Sequence, residues 1–168
     1  MKYNFNLIKG NIFDYIGKVD AICVTTNGTI KSNGELVMGA GVAKEFYDKY
    51  NKKFHIAQIL AQKIYRGVKM PHLHVVDIKH NLCYKCVEAK DNEGTYVISF
   101  PTKNHFQDKG DIELIKQSAT RIVWIANHYK LDKIIIPSPG TGCGKLSKEE
   151  VYGELNKILD NRFYIITK

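Results

Sequence analysis

Two stretches of small residues stand out for the chemistry they permit. Met38-Gly39-Ala40-Gly41 ends where Val42, Phe46 and Tyr50 begin a helical spacing. Glycines directly before a helix let the backbone approach a ligand and leave free N–H groups aimed at an anion. Ser138-Pro139-Gly140-Thr141-Gly142-Cys143-Gly144 follows the apolar run Lys133–Pro137 and precedes a second helix. The chemistry offered is a backbone cradle for a pyrophosphate, although an ordinary glycine-rich connection has the same composition. Neither stretch fits G-x-x-x-x-G-K-[ST], nor G-x-G-x-x-G with an acidic partner about 20 residues on. Cys143 is either a small residue packed beneath its loop or a nucleophile, and no sequence neighbour activates it.

The other cysteines carry a different question. Cys83 and Cys86 form a C-x-x-C, with His72, His74 and His80 nearby. Zinc takes such ligands, but a single pair with irregularly spaced histidines equally fits polar side chains on an exposed hairpin. No metal and no cofactor are assigned. Cys23 sits in an apolar run and reads as a buried thiol. Four cysteines are too few for a disulfide scaffold in a chain of 168 residues.

The elements that must position these loops alternate in type. Tyr3–Ile8, Val19–Val24, Leu73–Ile78, Leu82–Ala89, Thr95–Phe100, Lys133–Pro137 and Phe163–Thr167 read as strands. Asn27–Gly41 has no apolar period and reads as loop. Helices are expected over Val42–Tyr50, about Phe54–Gln62, from an Asp111 cap to Tyr129, and from a Ser147 cap to about Leu159. Ser147 and Glu150 have capping-box spacing. Asp91-Asn92-Glu93-Gly94 is a hairpin turn signal, and Pro101 is expected to stop its strand. The pattern predicts a single α/β domain over residues 1–168, a three-layer α/β/α sandwich with a mixed central sheet.

Composition narrows the setting. The hydrophobic fraction of 44% and the charged fraction of 25% suit a soluble globular domain. No apolar run approaches the roughly 20 residues of a membrane span, and the first residues lack a signal-peptide core. The expectation is a cytoplasmic, monomeric protein with no membrane partner. A net charge of +8, spread along the chain, favours anionic ligands such as nucleotides or nucleic acid.

Two glycine loops at the ends of buried strands define a crevice of the kind in which open α/β sheets bind ligands. The motifs around them have a family order. K-G-N-I at Lys9–Ile12, V-D-A-I at Val19–Ile22, Thr26-Asn27, M-G-A-G-V-A at Met38–Ala43 and P-x-x-G-T-G-C-G at Pro137–Gly144 resemble the macrodomains along essentially the whole chain. Macrodomains bind ADP-ribose, and several remove it from proteins or nucleic acids.

The resemblance implies a set of substrate-binding residues. Gly10, Asn11 and Ile12 would lie at the adenine end, with Asn11 where most macrodomains have Asp. Thr26 and Asn27 would border the distal ribose, with Asn27 bonding to it. Asn27-Gly28 is also the sequence of a plain turn. Met38, Gly39, Ala40, Gly41 and Val42 would form one phosphate loop. Ser138, Pro139, Gly140, Thr141, Gly142, Cys143 and Gly144 would form the other.

Departures from the family direct the catalytic expectation. One hydrolase branch has G-G-G-V-D, but Ala43 stands where its Asp would be. M-G-A-G-V-A instead resembles the terminal ADP-ribose glycohydrolases and the DNA ADP-ribosyl glycohydrolase antitoxins. That branch carries a functional lysine before the long helix, and F-P-T-K-N-H-F at Phe100–Phe106 matches it at Lys103. The terminal glycohydrolases also have an Asp after G-C-G, where Lys145 stands here. The implied catalytic residues are Lys103, at the distal ribose, and His105 as acid or base. A surface lysine and a loop histidine would share that sequence. Lysine attacks or polarises an anomeric carbon only when neutral. The resemblance leaves three functions open: hydrolysis of an ADP-ribosyl bond on nucleic acid or protein, ADP-ribose 1''-phosphate dephosphorylation, or ADP-ribose binding without chemistry.

Overall fold

A computed structural model of the chain describes residues 2–64, 74–75, 83–85 and 95–168; for 53–54, 62–64, 74–75 and 83–85 the backbone alone is described. In chain order the elements are β1 (Asn6–Lys9), a 3-10 turn (Ile12–Tyr15), β2 (Ala21–Thr26), β3 (Thr29–Ile30), α1 (Gly41–Phe54) and α2 (Ile56–Ile64). They continue with β4 (His74–Val75), β5 (Cys83–Lys85), β6 (Tyr96–Pro101), α3 (Ile112–Tyr129), β7 (Ile134–Pro137), α4 (Lys148–Leu155) and β8 (Phe163–Thr167).

Six strands form one sheet in the order β1-β8-β7-β2-β6-β5. All neighbours are parallel except β5, which runs antiparallel to β6. The sheet is mixed and carries helices on both faces, as the alternating pattern predicts. Side-chain alternation along β2 divides the core. Ala21 and Cys23 enter one cluster with Ile115, Ile122 and Val151 of α3 and α4. Ile22 and Val24 enter the other with Phe46, Tyr50 and Leu60 of α1 and α2. Because β2, β6, β7 and β8 are parallel, their C-terminal ends open on one side, and the connecting loops gather there.

The caps follow the sequence closely. Asp111 Oδ1 accepts the N–H groups of Glu113 and Leu114 at 3.0 and 3.2 Å, which starts α3. Ser147 Oγ accepts the Glu150 N–H at 3.1 Å and starts α4. Asp20, the polar residue in an apolar run, accepts the N–H groups of Asp132 and Lys133 at 2.9 Å each. Its carboxylate therefore ties the entry of β7 to that of β2.

Three expectations change. The stretch expected to be all loop contains β3, which pairs with β4 in a separate two-stranded ladder. Two residues are too few to show a period, yet Ile30 and Leu36 are fully buried and bridged to each other. Pro101 belongs to β6 as its last residue, paired with Thr26, and so closes the strand from within. The helix expected to reach Leu159 ends at Leu155, and turns carry the chain on to a buried Leu159. The side chains of Cys83, Cys86, His72, His74 and His80, and the turn at 91–94, lie outside the described residues. Among the described residues, no group of His, Cys, Asp or Glu gathers as a metal site. No described helix is long and apolar enough to cross a membrane.

Candidate functional site

A crevice of about 610 Å³ opens over the C-terminal ends of the parallel strands. At one end it is lined by Thr25, Thr26 and Asn27 after β2 and by Thr102, Lys103 and Phe106 after β6. Its middle lies between Met38–Ala43 and the loop that follows β7. At the other end are Ile166, Thr167 and Lys168 of the β8 terminus. Of the expected residues, Gly10, Asn11, Ile12, Pro139 and His105 do not line it. Gly10, Asn11 and Ile12 line a small adjoining hollow, which shares Val42, Pro137 and Ile166 with the crevice. Asn11 is exposed, and its Oδ1 accepts the Phe13 N–H at 3.0 Å, capping the 3-10 turn.

The α1 wall is built for an anion. Ala40 is the N-cap of α1 and has no side chain with which to bond the first-turn N–H groups. No acidic residue stands in that turn. The positive end of a 14-residue helix therefore faces the crevice uncompensated. Gly41 has φ +58°, a conformation that favours glycine.

The opposite wall is held by contacts that only glycine permits. A Cβ on Gly144 would lie 2.6 Å from the Gly140 oxygen and 2.8 Å from its Cα. Gly140 has φ +71°, and its carbonyl accepts the Leu146 N–H at 2.8 Å. Ser138 Oγ bonds Thr141 Oγ1 at 2.6 Å and the Tyr152 hydroxyl at 2.8 Å, so α4 steadies the loop. Burial raises the Tyr152 phenol above its ordinary range, and the Ser138 bond acts in the opposite sense. Gly39 and Gly142 meet no such constraint; a Cβ on either would enter open space. Cys143 is exposed and lines the crevice. It is not packed beneath the loop as its small size suggested.

The β2–β6 end is a bonded unit. Asn27 Nδ2 donates to the Val37 carbonyl and Oδ1 accepts the Thr29 N–H, both at 2.9 Å. These partners fix the amide's orientation and make the turn that Asn-Gly suggested. One hydrogen on Nδ2 and one lone pair on Oδ1 remain for a ligand. The Thr26 hydroxyl is buried on the crevice floor with no partner among the described residues. Lys103 Nζ donates to the Asp108 carbonyl at 3.2 Å and is otherwise free to turn toward the crevice. His105 stands behind Phe106, ring on ring at 4.7 Å. Its Nδ1 accepts the Gln107 N–H at 3.1 Å, which places the neutral ring's proton on Nε2. Asp111, a conceivable acid by position, is spent on its helix cap.

Among the described residues the crevice lining includes Lys103, Lys148 and Lys168 and no Asp or Glu. Lys168 pairs with Glu45 at 2.6 Å, which leaves Lys103 and Lys148 without an ion-pair partner among the described residues. Sequence alone does not mark Phe106 and Lys148 as lining residues. Phe106 lies within the quoted F-P-T-K-N-H-F, but nothing in that run marks which aromatic ring meets a cavity. Lys148 is hidden among the polar residues of a helix cap.

Comparison with known proteins agrees with this architecture. No protein in a search of curated sequences matched. Among solved structures, Thermosipho africanus DarTG in complex with ADP-ribose is similar, with 22% identity and a TM-score of 0.69 over 96% of this chain. This chain spans 41% of that protein's length. The macrodomain of Thermus aquaticus DarG is similar with 20% identity and a TM-score of 0.72, over 98% of this chain and 97% of that one. The macrodomain of Mycobacterium tuberculosis DarG gives 19% and 0.70, over 99% and 100%. At these identities the likeness is one of fold. The family model described as "Macro domain" matches residues 31–153, most of the chain and both crevice walls. The chain belongs to the macro domain family.

Proposed function

We propose that the crevice binds ADP-ribose and that the protein hydrolyses an ADP-ribosyl bond, with Lys103 acting at the distal ribose. The observation that carries this reading is the pairing of an uncapped α1 N-terminus with a glycine loop across a crevice that no Asp or Glu lines among the described residues. The diphosphate binds between them, where backbone N–H groups and the helix end meet its charge. Asn27 bonds the distal ribose through its remaining hydrogen and lone pair. The adenosine lies toward β8 and the hollow at Gly10, Asn11 and Ile12. The Thermosipho structure named as a complex with ADP-ribose supports the choice of ligand.

Hydrolysis breaks the bond from the anomeric carbon to the carrier and adds water's hydroxyl to that carbon. The carrier takes up the proton. The transition state has oxocarbenium character, so orientation and the adjacent phosphate charge both assist. Lys103 serves by attacking or polarising the anomeric centre, and Phe106 shields it from bulk water. The carrier is a modified nucleic acid or protein.

A purely ligand-binding role is the second reading. It is favoured by the lack of any Asp or Glu among the described lining residues to activate water. Release assays separate the two readings. The wild type is expected to free ADP-ribose from a modified oligonucleotide or protein. Lys103→Ala is expected to abolish release while holding ADP-ribose affinity within about threefold. Tight binding with no release from any substrate supports the binding-only role. Phosphate release from ADP-ribose 1''-phosphate would instead identify a phosphatase.

A further inference from the structure

A second groove joins the crevice at its β8 end. It has a volume of about 350 Å³ and is lined by Leu7, Ile8, Lys9, Lys148, Tyr152 and Thr167. Lys148 and Thr167 belong to both cavities. The groove forms because β1 is an edge strand of the sheet. Leu7 and Lys9 alternate to the α4 face, opposite Ile165 and Thr167 of β8. From α4, Lys148 and Tyr152 face the groove one turn apart. Leu7 is 54% exposed, an apolar floor left uncovered. Two lysines border it, and no lining residue among those described carries an acidic side chain.

We infer that this groove takes a phosphate-bearing extension on the adenosine ribose of the ligand, so that the protein distinguishes ADP-ribose from forms extended at that sugar. The inference rests on the proposed reading for its orientation. With the distal ribose at the β2–β6 end and the diphosphate between the loops, the adenosine lies at the β8 end, where the groove opens. Lys9 and Lys148 complement an added phosphate, and the Leu7 floor fits the flat face of a further base. Occupancy also reaches the crevice wall, because the Tyr152 hydroxyl holds Ser138, which holds Thr141.

Calorimetry with ADP-ribose and with its 2'-phosphate tests this. At low salt the 2'-phosphate is expected to bind about fivefold more tightly. Lys9→Glu is expected to remove that preference and leave ADP-ribose affinity unchanged. Equal affinities in the wild type, or a preference that survives Lys9→Glu, would overturn the inference while leaving ADP-ribose binding intact. Absence of any ADP-ribose binding would overturn the reading of the crevice and this inference with it. An ADP-ribose dimer joined through the same hydroxyl separates the two sources of phosphate. Tighter binding of the dimer than of the 2'-phosphate, lost in Leu7→Asp, identifies a nucleotide as occupant. No surplus for the dimer identifies the phosphate alone.

Discussion

Thr29 Oγ1 accepts the Phe106 backbone N–H at 3.0 Å and donates to the Asn104 carbonyl at 3.2 Å. One fully buried hydroxyl thus joins the segment after β2 to the segment after β6. Asn27 bonds to Thr29 N–H, and Gly28 N–H bonds the same Asn104 carbonyl at 2.7 Å. The crevice-lining Asn27, Lys103 and Phe106 are consequently parts of one bonded assembly rather than of two independent loops.

Thr29→Val keeps the shape of that side chain and removes both bonds. The Phe106 N–H loses its acceptor, at a cost of about 1–3 kcal/mol. Urea unfolding should report that loss, and ADP-ribose affinity should fall with it because Phe106 and Asn27 lose their common anchor. Thr29→Ser retains the hydroxyl and is expected to stay within about 1 kcal/mol of the wild type.

The two glycines of the second loop should separate folding from binding. Gly144→Ala drives a methyl group into the Gly140 backbone, so the loop must open. Stability and ADP-ribose affinity should both drop, the latter by about tenfold or more. Gly142→Ala has open space and no left-handed φ, so its stability should change by no more than about 0.5 kcal/mol. A fall in affinity with unchanged unfolding in this variant measures how closely the ligand approaches the loop.

Acid should weaken the fold at a site remote from the crevice. Hydrogen bonds from the Arg162 side chain to Asp160, at 2.8 and 3.0 Å, hold that carboxyl below its ordinary range. A carboxyl lowered in the folded state stabilises the fold above its unfolded pKa of about 4. That contribution is lost as pH falls through the lower folded value. The Asp160 side chain is 44% exposed, so solvent screening keeps the effect below about 1 kcal/mol. Asp160→Asn should therefore differ from the wild type at pH 7 and converge with it in acid. Added salt should narrow the gap at pH 7.

Much of this architecture is legible in the residues themselves. The uninterrupted apolar runs at Ala21–Val24 and Ile134–Ile136 announce central strands, because a parallel strand is buried on both faces. Asp111 and Ser147 announce helix starts, since their side chains satisfy N–H groups that the helix cannot. The glycines of the second loop are legible as a tight turn, but which of them is obligatory is not. Gly144 and Gly142 look alike in sequence and differ only in what a Cβ would meet. Thr29–Ile30 is not legible as a strand, because its partner lies more than 40 residues away. Phe106, Lys148 and the Leu7 floor acquire meaning only when the order β1-β8-β7-β2-β6 brings their ends together. Asn27 is legible as a turn, and the two bonds that make the turn leave one hydrogen and one lone pair for the ligand role proposed above.

In the proposed complex the distal ribose lies beside Lys103. A crystal structure with ADP-ribose bound tests that placement most directly. The predicted result has the diphosphate between Gly39–Val42 and Gly140–Gly144, with Asn27 bonded to the distal ribose. Lys103 Nζ is released from the Asp108 carbonyl and lies within about 3.5 Å of the anomeric carbon or its hydroxyl. A complex with the distal ribose at the β8 end, or with Lys103 still bound to Asp108 and remote from the sugar, would contradict it.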